Sequence, residues 1–149
     1  MGKATARKWV FFVELKSPSA LMWLGALSPT ISHMNKTATP IRILIADDNA
    51  ATRAATVALL ETDPRPVAIY EATNGEEAVK QAENLRPNVI LMDVQMPLLN
   101  GIEATRRIKQ RWPAIKVVAL TMYASHREAV LAAGADDFLL KGGAVDLLL

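Results

Sequence analysis

The sequence predicts an α/β domain: a doubly wound, five-stranded parallel sheet in the order 2-1-3-4-5, with helices packed on its faces. Three observations predict it. Short apolar runs alternate with helical patterns from residue 41 onward. The run Val89-Ile90-Leu91-Met92 is unbroken and apolar, which reads as a strand buried on both sides, as the strands of parallel sheets are. Polar residues stand where these runs stop, namely Asp47-Asp48, Asp93, Thr121 and Lys141. That is the carboxyl edge, where such sheets hold their reactive groups.

Each element follows from local pattern. Ile41-Arg42-Ile43-Leu44-Ile45-Ala46 is the first strand and runs into Asp47 and Asp48. Asn49 caps a helix over 50–61. Leu59 and Leu60 form its inner face, and Asp63-Pro64-Arg65-Pro66 ends it. Residues 67–72 are the second strand, and Asn74-Gly75-Glu76-Glu77 reads as a turn with a capping box. The helix after it places Ala78, Ala82 and Leu85 on one side. Pro87-Asn88 leads into the third strand, which ends at Asp93 before Pro97. Asn100-Gly101 is a turn, and a helix over 102–111 sets Ile102, Thr105, Ile108 and Trp112 on one side until Pro113 breaks it. Residues 116–121 form the fourth strand, ending in the Thr121 hydroxyl. A short helix over 125–133 closes at Gly134, and a fifth strand over 136–140 ends at Lys141. Residues 142–149 begin a helix that is then cut off.

Composition narrows the classes of function. The chain has 149 residues, enough for one domain with a real core. It has no cysteine, which excludes disulfides, thiolate metal sites and thiol nucleophiles. The net charge of +2 is unevenly spread. Lys3, Arg7, Lys8, Lys16 and Lys36 face a single acid, Glu14, in the first forty residues, while the remainder is slightly acidic. The basic balance is therefore poor evidence for nucleic-acid binding by the main domain. Residues 1–40 read as a disordered or loosely attached extension. Glu14, Lys16 and Pro18 break the apolar run Trp9-Val10-Phe11-Phe12-Val13 before it is long enough for a bilayer or a clear signal segment. Met34 stands as an alternative start, just before a polar stretch that leads into the first strand.

The strand ends then gather three carboxylates, one hydroxyl and one ammonium at one edge. Two like charges ~4 Å apart repel by roughly 4 kcal/mol at an effective dielectric near 20, so three ionised acids call for a cation. Oxygen ligands, with no cysteine and no histidine expected beside them, select a hard ion, Mg²⁺ or Mn²⁺, whose shell is completed by water and phosphate. A carboxylate beside such an ion can attack phosphorus and hold the phosphoryl group as an acyl phosphate. Lys141 would neutralise its charge and Thr121 would hydrogen-bond one of its oxygens. Each piece alone has an ordinary explanation: an Asp-Asp pair in a turn, a threonine at a strand end, a solvated loop lysine. Their shared edge is what makes them a candidate site.

These residues resemble the receiver domain of two-component response regulators. The resemblance is carried by Ile43-Leu44-Ile45-Ala46-Asp47-Asp48-Asn49 and by Leu91-Met92-Asp93-Val94-Gln95-Met96-Pro97 with Asn100-Gly101-Ile102-Glu103-Ala104. Ala119-Leu120-Thr121 and Gly134-Ala135-Asp136-Asp137-Phe138-Leu139-Leu140-Lys141-Gly142 complete it. It covers 41–149 and implies the flavodoxin-like form of the doubly wound fold and a cytoplasmic protein. It implies that Asp93 is the phosphoacceptor for a sensor histidine kinase. Asp48 and Asp93 would bind Mg²⁺ directly, Asp47 would help through water, and the backbone carbonyl of Gln95 would be the third protein ligand. Thr121 and Lys141 would grip the phosphoryl group. Phe138 matches the aromatic switch that turns inward with the threonine, against the plainer reading of core packing. Gln95 and Tyr123 stand where the family tunes dephosphorylation. The resemblance also implies that the chain catalyses nothing beyond its own phosphorylation and dephosphorylation, and that phosphorylation drives homodimerisation without a membrane partner.

The wording around Lys141 is that of the LuxR/NarL branch, whose members carry a C-terminal DNA-binding domain. The expectation is thus a receiver over 41–149 that lacks most of its last helix and any output domain, with DNA reached only through that absent part. A helix that stops short would leave Val117, Leu139 or their neighbours uncovered. Two other readings compete. One is a degenerate or stand-alone receiver acting as a protein-interaction module, which the complete set of phosphorylation residues disfavours. The other is a phosphatase of the haloacid dehalogenase type, which wants a second aspartate two residues after its nucleophile, where this sequence has Gln95.

Overall fold

The structure is a computed structural model and describes residues 39–141. Five parallel strands, β1 (Ile41–Ala46), β2 (Val67–Ala72), β3 (Val89–Asp93), β4 (Lys116–Thr121) and β5 (Asp137–Leu140), lie in the order β2-β1-β3-β4-β5. Between them run α1 (Ala50–Leu60), α2 (Gly75–Leu85), α3 (Gly101–Arg111) and, after a 3₁₀ turn over Ala124–His126, α4 (Arg127–Ala132). This is the predicted fold class and strand order.

Strand periodicity sorts the core into two faces. Leu44, Ala46, Ile90, Met92 and Val117 point to one side and pack on Ala78, Ala82, Ala104 and Ile108 of α2 and α3. The small alanines let those helices lie close to the sheet. Ile43, Ile45, Val89, Leu91, Val118, Leu120 and Leu139 point to the other side, with Leu60 and the partly buried Val57 of α1. β3 is buried along its whole length, as its unbroken apolar run requires.

Asparagine starts all three helices that follow β1, β2 and β3. The Asn49, Asn74 and Asn100 side chains accept from the backbone N–H groups of Thr52, Glu77 and Glu103 respectively. Each such cap contributes on the order of 1 kcal/mol. The expected capping box at Asn74 is only half formed. Glu77 reaches one residue further back, and its carboxylate accepts from the Thr73 N–H at 2.8 Å and the Thr73 hydroxyl at 2.9 Å.

Three other expectations need correction. The 125–133 helix is divided into the 3₁₀ turn and α4. β5 begins at Asp137, because the Asp136 carboxylate turns to accept from the Val117 N–H at 2.9 Å and from Lys109 Nζ at 2.8 Å. Val117 and Leu139 are 0% and 2% exposed rather than uncovered. Val117 packs in the cluster that holds Ile108 of α3, and Leu139 is enclosed by the second core cluster. The readings made for 1–38 and 142–149 lie outside the described residues.

Candidate functional site

The sheet order decides which strand ends meet. β1 and β3 are neighbours, with Ala46 opposite Met92, so Asp47 and Asp93 emerge side by side. β4 pairs β3 on its other side, with Leu120 opposite Asp93, and β5 follows with Leu140 opposite Thr121. The Lys141 N–H donates to the Thr121 carbonyl at 2.7 Å, which carries the lysine to the same edge.

Lys141 is the centre of the site. Its Nζ lies 2.6 Å from Asp47 Oδ2 and 3.1 Å from Asp93 Oδ2. Asp47 is only 2% exposed, and its second oxygen accepts from the Asn49 N–H at 2.8 Å. Asp93 is also buried, and its Oδ1 accepts from the Gln95 N–H at 3.2 Å. Asp48 is exposed at the rim. One oxygen from each of Asp47, Asp48 and Asp93 falls within 4.8 Å of the others, an all-carboxylate set. Hard divalent ions take such ligands, and a magnesium shell at ~2.1 Å per bond is little smaller than this spacing. The residues therefore fit Mg²⁺ by donor type and by spacing.

Burial pushes the Asp93 carboxyl above its usual range. The Lys141 ammonium opposes that shift by charge and hydrogen bond, and the neighbouring Asp47 carboxylate adds to it. Burial thus leaves the charge of Asp93 poorly stabilised. Such a carboxylate gains from a partner that takes up its negative charge.

The backbone behind Asp93 is tightly fixed. The Gly101 N–H donates to the Val94 carbonyl at 2.9 Å, and a Cβ on Gly101 would stand 1.9 Å from the Asp93 carbonyl oxygen. Gly75 meets the same loop from the α2 side, where a Cβ would lie 2.0 Å from the Leu99 carbonyl oxygen. Both glycines are read from the structure; in the sequence they look like ordinary turn residues.

The other expected residues are placed as follows. The Thr121 side chain is buried and at the site's edge, but its hydroxyl is engaged by His126, whose Nδ1 lies 2.7 Å away. The 3₁₀ turn folds His126 back over Thr121 rather than toward the acids, and the clustered ion ligands are all carboxylates. Phe138 is partly buried against Val94, Ala119, Val130 and Ala135. Gln95 is exposed, and Tyr123 is 53% exposed with its ring edge-on to His126. Arg53 is a further residue that sequence reasoning missed. Its Nη1 donates to the Asp47 carbonyl at 2.9 Å and its Nε to Glu71 at 3.2 Å, bracing the turn that carries the acids.

Comparison with known proteins shows the family and the fold. A family model described as the response regulator receiver domain matches residues 43–149. The transcriptional regulatory protein DegU of Brevibacillus brevis is 39% identical over 111 residues, covering 73% of this chain and 47% of that protein. The chain spans half or less of the length of the other curated relatives it matches. Among solved structures, the response regulator domain of Thermotoga maritima CheB superposes with a TM-score of 0.65 at 32% identity, covering 74% of this chain and 92% of that one. The receiver domain of the sensor histidine kinase PA1611 from Pseudomonas aeruginosa PAO1 has a magnesium ion coordinated in its active site cleft. It superposes with a TM-score of 0.63 at 30% identity over 74% of this chain and 93% of its own.

Proposed function

The chain belongs to the response regulator receiver domain family, and from that premise we propose that it is a phosphorylation switch with Asp93 as phosphoacceptor. The observation that carries the reading is the Lys141 ammonium bridging two buried carboxylates at 2.6 and 3.1 Å. Such a bridge serves an acid that acquires a dianionic group more than one that stays a carboxylate.

In the proposed reaction an Asp93 carboxylate oxygen attacks the phosphorus of a phosphohistidine on a sensor histidine kinase. The O–P bond forms as the P–N bond breaks, and the kinase imidazole leaves with a proton. Magnesium, when bound, supplies charge neutralisation and orientation of the phosphoryl oxygens. Asp48 and Asp93 would ligate it directly, the Gln95 carbonyl would be the third protein ligand, and Asp47 would hold it through water. Lys141 moves its interaction from the Asp93 oxygen to the phosphoryl group while keeping Asp47. Thr121 turns its hydroxyl to a phosphoryl oxygen, and Phe138, which packs on the cluster that holds Ala119, turns inward with it. Asp93 reverts by hydrolysis of its own acyl phosphate, so the turnover is of the protein itself.

The named role of the Brevibacillus relative supports transcription control as the output. The receiver would then act on a DNA-binding part beyond the matched region, with homodimerisation on phosphorylation as the link. Cytoplasmic action fits a kinase partner of this kind, and among the described residues no helix is long and apolar enough to cross a membrane. Acetyl phosphate with Mg²⁺ tests the reading. A switch takes up one labile phosphate, a phosphatase releases inorganic phosphate continuously, and an inert interaction module does neither.

A further inference from the structure

Thr121 has a partner that the phosphorylation chemistry does not require. His126 Nδ1 lies 2.7 Å from Thr121 Oγ1, and the Tyr123 N–H donates to that same oxygen at 3.1 Å. The His126 N–H donates to the Tyr123 carbonyl at 3.1 Å, closing the turn that carries the imidazole back over the threonine. The Tyr123 ring stands edge-on to the imidazole with centroids 5.5 Å apart.

A hydroxyl has one proton to give. A phosphoryl oxygen is only an acceptor, so Thr121 can hold it only by donating that proton. An imidazole nitrogen without a hydrogen is also only an acceptor and needs the same proton. We propose that His126, as its Nε2–H tautomer, accepts the Thr121 hydroxyl proton and is a positioning residue that holds the switch threonine off the phosphoryl group. This rests on the reading above that Thr121 grips a phosphoryl group on Asp93. Phosphorylation then exchanges a neutral hydrogen bond for a charge-assisted one, which is about twice as strong. The exchange goes forward, and His126 sets how much phosphoryl stabilisation it needs. An open cleft of about 450 Å³ beside the imidazole, lined also by Val94, Gln95 and Ile102, gives the released ring room to turn.

Beryllium fluoride with Mg²⁺ tests this, because it mimics a phosphoryl group on a carboxylate and binds reversibly. Calorimetric titration of the full chain should show His126→Leu binding it about two- to tenfold more tightly than wild type, the ratio that one ordinary hydrogen bond represents. His126→Asn, whose side-chain oxygen can accept in place of Nδ1, should stay near wild type. In a Thr121→Val background, His126→Leu should change nothing. Equal or weaker binding by His126→Leu overturns the proposal, as does a gain that persists without the hydroxyl. The ¹⁵N spectrum of the free protein gives a separate readout: the Nε2–H tautomer is expected, and the Nδ1–H tautomer overturns the proposal. Failure of the wild type to bind beryllium fluoride at all would count against the phosphoacceptor reading, while the imidazole spectrum still decides the role of His126.

Discussion

Lys141 Nζ lies 2.6 Å from Asp47 Oδ2, so one ion pair ties the end of the last strand to the end of the first across 94 residues of chain. The aspartate is 2% exposed and the lysine side chain 18%. Removing one member of a buried pair leaves an uncompensated charge, which typically costs 3–5 kcal/mol. Lys141→Met should therefore destabilise the domain by about 3 kcal/mol in denaturant titrations without divalent ions, with Asp93 adding to the repulsion. Added Mg²⁺ should recover part of the loss by replacing the missing positive charge. A variant as stable as wild type in chelator would show that the pair contributes nothing.

Asp93 should show the opposite trade. Burial raises its carboxyl pKa from the ordinary value of 3.8, so the folded state prefers the neutral form. Its stabilising contribution is complete below that value and is lost as pH rises through the raised one. Asp93→Asn imitates the neutral form. It should melt about 5 °C higher than wild type at neutral pH, equivalent to ~1 kcal/mol in a domain of this size. The two should converge as pH falls into the carboxylate range. An asparagine variant that melts lower at pH 7 would refute this ordering.

Glu77 titrates with the other sign. Its carboxyl is held below the ordinary 4.5, first by the Thr73 N–H and further by the Thr73 hydroxyl and Gln81, while burial opposes them. A depressed acid contributes stability above its unfolded pKa and loses it as pH falls through the folded one. Glu77→Gln keeps an acceptor oxygen for Thr73 but loses the charge, so it should be less stable than wild type near neutrality by only about 0.5 kcal/mol, because solvent screens the group, and should match it in acid. Equal stability at pH 7 would mean that the charge on Glu77 adds nothing.

Gly101→Ala should be among the most damaging single substitutions. Its Cβ would stand 1.9 Å from the Asp93 carbonyl oxygen, backbone that cannot give way without moving Asp93 itself. A loss of more than about 2 kcal/mol is expected, with weaker Mg²⁺ binding in the fraction that folds. Normal Mg²⁺ affinity and a small stability change together would contradict the close fit of α3 behind Asp93.

Thr105→Val should stabilise. Thr105 is fully buried in α3, and its hydroxyl has no hydrogen-bond partner among the described residues. An unpaired buried hydroxyl costs roughly 1–3 kcal/mol, and valine keeps the shape. A gain of about 1 kcal/mol in chemical denaturation is predicted. A loss would show that the hydroxyl is satisfied.

The parts of this molecule legible in the sequence are those with local causes. β3 announces itself by an apolar run that only a doubly covered strand can bury, and Asn49 and Asn74 mark helix starts because the cap is made within three residues, whereas Asn100 reads as a turn and is a cap only in the structure. Sheet order then brings Asp47, Asp93, Thr121 and Lys141 together. What stayed illegible depends on distances across the fold. Arg53 looks like a solvated helix residue until α1 folds back on the Asp47 carbonyl. Gly101 looks like a turn until the Asp93 carbonyl is seen against it. His126 falls within a stretch whose periodicity suggests a continuous helix, and only the 3₁₀ turn puts its ring on Thr121. The half-formed capping box at Asn74 shows the same limit at short range: the spacing was right, yet Glu77 found a donor one residue earlier.

The central claim is that Asp93 accepts a phosphoryl group, and mapping that group tests it most directly. Wild-type chain incubated with acetyl phosphate and Mg²⁺, then digested under mildly acidic conditions and sequenced by tandem mass spectrometry, should carry one hydroxylamine-labile phosphoryl group, on the peptide containing Asp93. Asp93→Asn should carry none. A label on another residue, a label that survives in Asp93→Asn, or an unlabelled wild type that binds Mg²⁺ normally would contradict the account.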